Sequence, residues 1–137
     1  MSQENVEVVL NAHAAFSRGD LDGLLAECQP DVTYRAAITQ EIEGDEGDFL
    51  GHDGIRRWWS DLHDLYDGLH TDVVEVRDLG ERVFVVFVIQ GTAKGSGLVF
   101  EDGQTLAQVV TLRDGKITEI RDYSERGEAL EAVGPQQ

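Results

Sequence analysis

At 137 residues the chain holds a single domain, 1–137, long enough to build a proper hydrophobic core. Its 41% hydrophobic content excludes wholesale disorder, and no apolar run approaches the ~20 residues that a membrane-spanning helix needs. A formal net charge of −16, from 27 acidic and 11 basic residues, argues against nucleic acid and anionic membrane surfaces as partners and is most simply a device for solubility.

The single Cys28 excludes an internal disulfide and fits a reducing compartment. Met1 to Asn5 has no basic stretch of the kind that opens a secretory signal, so a cytoplasmic location is expected. Cys28 itself reads as a small core residue rather than a nucleophile.

Asn5 to Arg18 predicts a helix, because Val6, Val9, Leu10, His13 and Phe16 recur at three- and four-residue spacing. Gly19 suits its C-terminal stop, and Asp20 suits the cap of a second, short helix over Leu21 to Cys28. Pro30 should end that helix. Asp31 to Ala37 reads as a strand with Val32, Tyr34 and Ala36 on one side. The acidic stretch Glu41 to Asp48 reads as a loop or a flap-like hairpin. It lacks the alternating ligands and distal glutamate of a calcium loop. Asp53 can cap a third helix over Gly54 to Tyr66, with Ile55, Trp58, Trp59, Leu62, Leu65 and Tyr66 on its apolar side and Gly68 closing it.

The remainder is strand-rich: His70–Leu79, Arg82–Lys94, Leu98–Leu112 and Lys116–Ser124, with a short helix over Glu128 to Val133. Val83 to Ile89 is apolar on both faces, the pattern of a strand covered on both sides. One side should meet the helices, and the other a second subunit's sheet. Helices first and strands after indicate an α+β fold, with no repeat and no linker. Three helices packed on a strongly curved, mainly antiparallel sheet would enclose a cone, and the mouth of a cone is a natural ligand site.

The most informative segment is Asp114 to Tyr123. Asp114-Gly115 before a period-two run signals a tight hairpin. In the strand that follows, Thr118, Ile120 and Asp122 share one face. If that face is the interior, Asp122 places a carboxylate among apolar side chains, which is costly without a purpose or a partner.

Four segments, in this order, resemble the NTF2-like superfamily and in particular its SnoaL-like branch. They are Arg18-Gly19-Asp20-Leu21-Asp22-Gly23-Leu24, Asp31-Val32-Thr33-Tyr34, Gly51-His52-Asp53-Gly54-Ile55-Arg56-Arg57-Trp58-Trp59, and Gly115-Lys116-Ile117-Thr118 with Arg121-Asp122-Tyr123. That branch includes polyketide cyclases and sits close to ketosteroid isomerase and limonene epoxide hydrolase. The resemblance implies the cone-shaped roll and acid–base chemistry without a cofactor or a metal.

The resemblance also removes options. The catalytic aspartate of ketosteroid isomerase falls on Ala36, its oxyanion-hole tyrosine on Ala12, and its second oxyanion donor on Gln108, whose amide can still donate. Of the limonene epoxide hydrolase set, the last aspartate falls on Asp122 and the tyrosine on Tyr34. The other three roles fall on Ala36, Phe87 and Ile89.

Four residues are therefore candidates for chemistry. Asp122 is the candidate general acid or base, since desolvation in an apolar cavity raises a carboxyl pKa towards neutrality. The alternative is a structural carboxylate paired with a hydroxyl, a backbone group or an arginine. Gln108 shares a face with Leu106, Val110 and Leu112, needs a partner there, and can meet Asp122 across neighbouring strands. Tyr34 can orient a ligand or a water. His13 sits on the apolar side of the first helix, where core packing is the simpler role, unless it faces Asp122. His63 and His70 read as surface or strand-edge residues, and His52-Asp53 as helix entry. No zinc spacing, phosphate loop or nucleophile elbow is present.

By its resemblance to the isomerase, Trp59 should line the pocket, with Trp58 in the core. With Trp59, an inner surface of Val85, Phe87, Ile89, Leu106, Val110 and Ile120 predicts a site for a small, mainly apolar molecule. The chemistry of such a site would be isomerisation, cyclisation or water addition. The rival is a non-catalytic binding or dimerising module. A homodimer through the outer sheet face is expected from the doubly apolar strand.

Overall fold

The computed structural model describes residues 2–35, 49–94 and 103–134. In chain order they form α1 (Ser2–Ser17), α2 (Leu21–Ala26), β1 (Cys28–Arg35), β2 (Phe49–Leu50), α3 (Gly51–Leu65), β3 (Tyr66–Asp78), β4 (Arg82–Ala93), β5 (Gln104–Arg113), β6 (Lys116–Tyr123) and α4 (Arg126–Val133). The six strands make one sheet in the order β2-β1-β6-β5-β4-β3. β1 runs parallel to β6, and every other pairing is antiparallel. The fold is α+β.

Several joints follow from local chemistry. Gly19, at φ +73, lets the chain turn out of α1, and Asp20 caps α2 by accepting a hydrogen bond from the Gly23 N–H at 2.9 Å. Asp114 and Gly115 both take positive φ, 55 and 77, as a two-residue hairpin between β5 and β6 requires. Gly54 packs so tightly on β2 that a Cβ there would stand 2.7 Å from the Phe49 carbonyl carbon.

Three expectations shift. Pro30 does not end α2; α2 stops at Ala26, and Pro30 lies inside β1. It is tolerated because the ladder to β6 is interrupted between Cys28 and Thr33. Asp53 is not the cap of α3. The helix starts earlier, at Gly51, so Asp53 stands in its first turn and pairs with Arg56 at 2.8 Å. Gly68 does not close the helix, because α3 passes directly into β3 and Gly68, at φ +66, sits in a register shift between Asp67 and His70. Ala36, Ala37, the acidic stretch Glu41 to Asp48 and the start of the strand expected from Leu98 lie outside the described residues.

β4 is covered on both sides by its own chain. Val83, Val85, Phe87 and Ile89 enter the main core with α1, α2 and α3. Phe84 and Val86 face the other way, packing with Ala107, Val109 and Ala129, beneath Leu130 and Val133 of α4. The layer over this outer face is closed by ions. Arg126 of α4 donates to both carboxylate oxygens of Glu75 on β3, at 2.8 and 2.9 Å. Arg77 pairs with the same carboxylate, and both guanidinium groups lie over the Phe84 ring. The two-sided apolarity that suggested a second subunit is therefore met largely by α4.

Candidate functional site

The main core is not filled. A cavity of about 70 Å³ lies between the helices and the inner sheet face. A single water needs roughly 10–15 Å³ of such space, so the void is far larger than a packing defect. Val9, Ala12, Phe16, Leu24, Ile55, Trp58, Phe87, Ile89, Val110, Ile117 and Ile120 supply an apolar wall. His13, Cys28, Tyr34, Thr71 and Gln108 are its polar members.

All of these but Cys28 are wired together through Asp122. Gln108 on β5 is paired directly with Asp122 on β6, and its Nε2 donates to Asp122 Oδ1 at 2.8 Å. Tyr34 on β1, beside Ile120 of β6, donates its hydroxyl to Asp122 Oδ2 at 2.7 Å. Gln108 Oε1 lies 3.0 Å from His13 Nε2, and His13 Nδ1 lies 2.9 Å from Thr71 Oγ1. One hydrogen-bonded chain thus runs Thr71–His13–Gln108–Asp122–Tyr34, through α1 and four strands. Gln108 is buried, and both ends of its amide are satisfied.

Position along each element explains the gathering. Val32 and Tyr34 alternate inward on β1, both buried. Ile120 and Asp122 alternate inward likewise on β6, Ile120 buried and Asp122 half-buried. On α1, Val9, Ala12, His13 and Phe16 share the face turned to the sheet, and the His13 ring meets Phe87 edge-on at 4.8 Å. Thr71 is pinned to α1 twice, since its N–H donates to Ser17 Oγ at 2.9 Å and its carbonyl accepts from the same hydroxyl at 3.3 Å.

The electrostatics follow from burial. Burial lowers the His13 pKa below its ordinary value, outweighing the opposing effect of the Gln108 hydrogen bond, so the ring is neutral. Burial and the neighbouring Asp122 carboxylate hold the Tyr34 phenol well above its usual range. Burial pushes the Cys28 thiol up to about 12, and its Sγ lies 3.5 Å from the Leu24 carbonyl.

Of the residues picked from sequence, the structure brings Asp122, Tyr34, Gln108 and His13 into one network. Phe87, Ile89, Val110 and Ile120 line the cavity. Three other expectations are corrected. Trp58, not Trp59, lines the cavity, packing edge-on against Tyr34 at 4.8 Å. One helical step turns Trp59 sideways, where it stacks on His63 at 4.5 Å. Val85 and Leu106 are buried but spend their side chains on packing rather than on the cavity wall. Asp122 is also absent from the wall; it holds Tyr34 and Gln108, which are on it.

His52 reaches the Cys28 carbonyl at 3.1 Å, and His70 bonds Gln90 and the Gly68 carbonyl. Both serve structure. Sequence reasoning missed Thr71. In the alternating stretch His70 to Asp78 nothing marks it apart from its polar neighbours. Among the described residues, no three His, Cys, Asp or Glu side chains gather as a metal ion would require, and no helix is long and apolar enough to cross a membrane.

Comparison with known proteins bears on this geometry. The family model for the SnoaL-like domain matches residues 9–120. The crystal structure of TerC co-crystallised with polyporic acid is 26% identical, with 96% of this chain and 99% of that one covered and a TM-score of 0.75. An NTF2-like protein of unknown function from Burkholderia pseudomallei K96243 is 23% identical over 96% and 98% of the two chains, with a TM-score of 0.77. A protein with a ketosteroid isomerase-like fold from Catenulispora acidiphila DSM 44928, in complex with trimethylamine, is 21% identical over 95% and 94%, with a TM-score of 0.73. The last two establish likeness of fold. No curated protein matches the chain.

Proposed function

The chain belongs to the SnoaL-like domain family, and from that premise we propose that it binds a small, mainly apolar molecule in the cavity and works on it by proton transfer without a cofactor. One observation carries this reading: four polar side chains of an otherwise apolar cavity are joined in a single hydrogen-bonded chain whose two arms, from Gln108 and from Tyr34, converge on the Asp122 carboxylate. That TerC was crystallised with polyporic acid, and the Catenulispora protein with trimethylamine, supports a small-molecule site on this scaffold.

Asp122 is the proton acceptor in this scheme, and it reaches the ligand through Tyr34. As Tyr34 Oη takes a proton from the ligand, it passes its own to Asp122 Oδ2. A concerted exchange avoids a free phenolate, which burial disfavours. Gln108, held in place by His13, orients the ligand and the carboxylate. Returned from Asp122 through Tyr34 to another atom of the ligand, the same proton completes an isomerisation; a cyclisation or a water addition would begin with the same abstraction. The test is a thermal-shift ligand screen followed by turnover in Asp122→Asn and Tyr34→Phe. Full turnover in a folded Asp122→Asn protein would overturn the role of the carboxylate.

A binding module without chemistry is the second reading. It is favoured by the position of Asp122 off the cavity wall and by the engagement of both His13 ring nitrogens. Ligand affinity unchanged in Asp122→Asn, with no product from either protein, would select it. A homodimer through the outer sheet face would have to use surface beyond the residues packed under α4. Sedimentation at micromolar concentration tests that, and a monomer would exclude it.

A further inference from the structure

The cavity's hydrogen bonds have a direction, and the direction specifies what a ligand must bring. Start at Asp122, an acceptor when ionised. Its Oδ1 lies 2.8 Å from Gln108 Nε2, so the amide turns its NH₂ to the carboxylate; the flipped amide would set oxygen against oxygen. Gln108 Oε1 then faces His13, and Nε2 of His13 must carry the ring proton. The ring is neutral, so Nδ1 is a bare lone pair. The only hydrogen available to it at 2.9 Å is the Thr71 hydroxyl hydrogen. At the other end, Tyr34 gives its hydroxyl hydrogen to Asp122.

Both hydroxyls on the cavity wall have therefore sent their hydrogens into the protein. What Thr71 Oγ1 and Tyr34 Oη can offer a ligand is lone pairs. Gln108 keeps one amide hydrogen beyond the one given to Asp122.

We propose that Thr71 and Tyr34 determine specificity by accepting hydrogen bonds, so that the cavity selects a neutral, compact molecule carrying hydroxyl or amine hydrogens over one of the same skeleton that only accepts. Thr71 is a specificity residue that sequence pattern gives no hint of. The inference rests on the reading of the cavity as a ligand site. Neutrality follows because, among the described residues, no lysine or arginine lines the cavity to balance an anion, and the Asp122 carboxyl lies one hydrogen bond from the wall.

The experiment uses the three dihydroxybenzenes and their three dimethyl ethers as probes, titrated by calorimetry and by NMR. The ethers keep the ring and both oxygens and lose both donors. At least one diol should bind about tenfold tighter than its ether, as one or two hydrogen bonds of ordinary net worth would give. Thr71→Val and Tyr34→Phe should each narrow that ratio, and Thr71→Ser should restore it. Equal binding, or tighter binding of the ethers, overturns the inference and leaves the ligand-site reading standing. No binding by any of the six overturns both. Independently of any ligand, ¹⁵N spectra of His13 in the intact protein should show the Nε2–H tautomer. A predominant Nδ1–H tautomer would reverse the chain and sink the proposal.

Discussion

Gln108 and Asp122 face each other as directly paired residues of neighbouring antiparallel strands, with Nε2 and Oδ1 2.8 Å apart. That pairing makes Gln108 a relay rather than a bystander, because its other amide end is committed to His13. Replacing Asp122 therefore disturbs three side chains at once. Asp122→Asn should cost about 1–3 kcal/mol, since an amide can accept from Tyr34 or Gln108 but presents its own hydrogens to the other. Urea unfolding measures it, and a loss under 0.5 kcal/mol would show that the carboxylate is not the anchor.

Tyr34→Phe keeps the ring on Trp58 and removes one hydrogen bond. A stability loss of about 1 kcal/mol is expected from unfolding curves, with near-UV circular dichroism unchanged. On the proposed mechanism, turnover should fall far more than that figure implies, because the proton path to Asp122 is cut.

The pH dependence of stability has two separate limbs. His13 has a folded pKa below its ordinary 6.5, so its unfolded form binds the proton more readily. The stability it permits is fully present above about 6.5 and is lost as pH falls below it. Glu75 is a carboxylate held down to about 2 by Arg126 and Arg77, against an ordinary 4.5. Its contribution is present above 4.5 and is lost as pH falls towards 2. Its ion pairs are solvent-exposed, so this limb should be the weaker one. Unfolding midpoints from pH 3 to 8 should show both. His13→Gln should flatten the upper limb and leave the lower one in place.

Cys28 lines the cavity, yet burial holds its thiol at about 12. At pH 8 the thiolate fraction is negligible, so the native protein should react with a disulfide reagent far more slowly than the urea-unfolded chain. Comparable rates would mean that the cavity opens widely in solution.

Ala129 is fully buried against the outer sheet face. Ala129→Glu puts a carboxylate beside Phe84 and Val109 and should undock α4. Hydrogen exchange within Arg126 to Val133 should rise, and sedimentation should show self-association through the uncovered apolar surface.

How much of this was legible in the chain depended on period. Helices α1 and α3 and strands β4 to β6 are written in their apolar spacing, and the Asp114-Gly115 turn in its residue types. The inward turn of Tyr34, Gln108 and Asp122 follows from alternation. What lay hidden needed tertiary contact. A single step of 100° separates Trp58 on the cavity from Trp59 beside it, and sequence could not choose between them. Thr71 is one polar residue in an alternating edge strand, and only the arrival of His13 from α1 gives it a role. The two apolar faces of β4 were plain, but no periodicity says that a helix 40 residues later covers the second one.

The span of the hydrogen-bonded chain has a kinetic meaning. Tyr34 and Asp122 are 88 positions apart, and His13 and Gln108 are 95. Each bond closes most of the polypeptide into a loop, and such contacts are reached late because the ordering entropy comes due before they reward it. The parallel pairing of β1 with β6 makes the same demand. The network is therefore among the last features a folding chain can acquire, and among the first that an opening chain must give up. A nascent or partly unfolded molecule should lack it, so ligand binding by this cavity would report on completion of the whole domain.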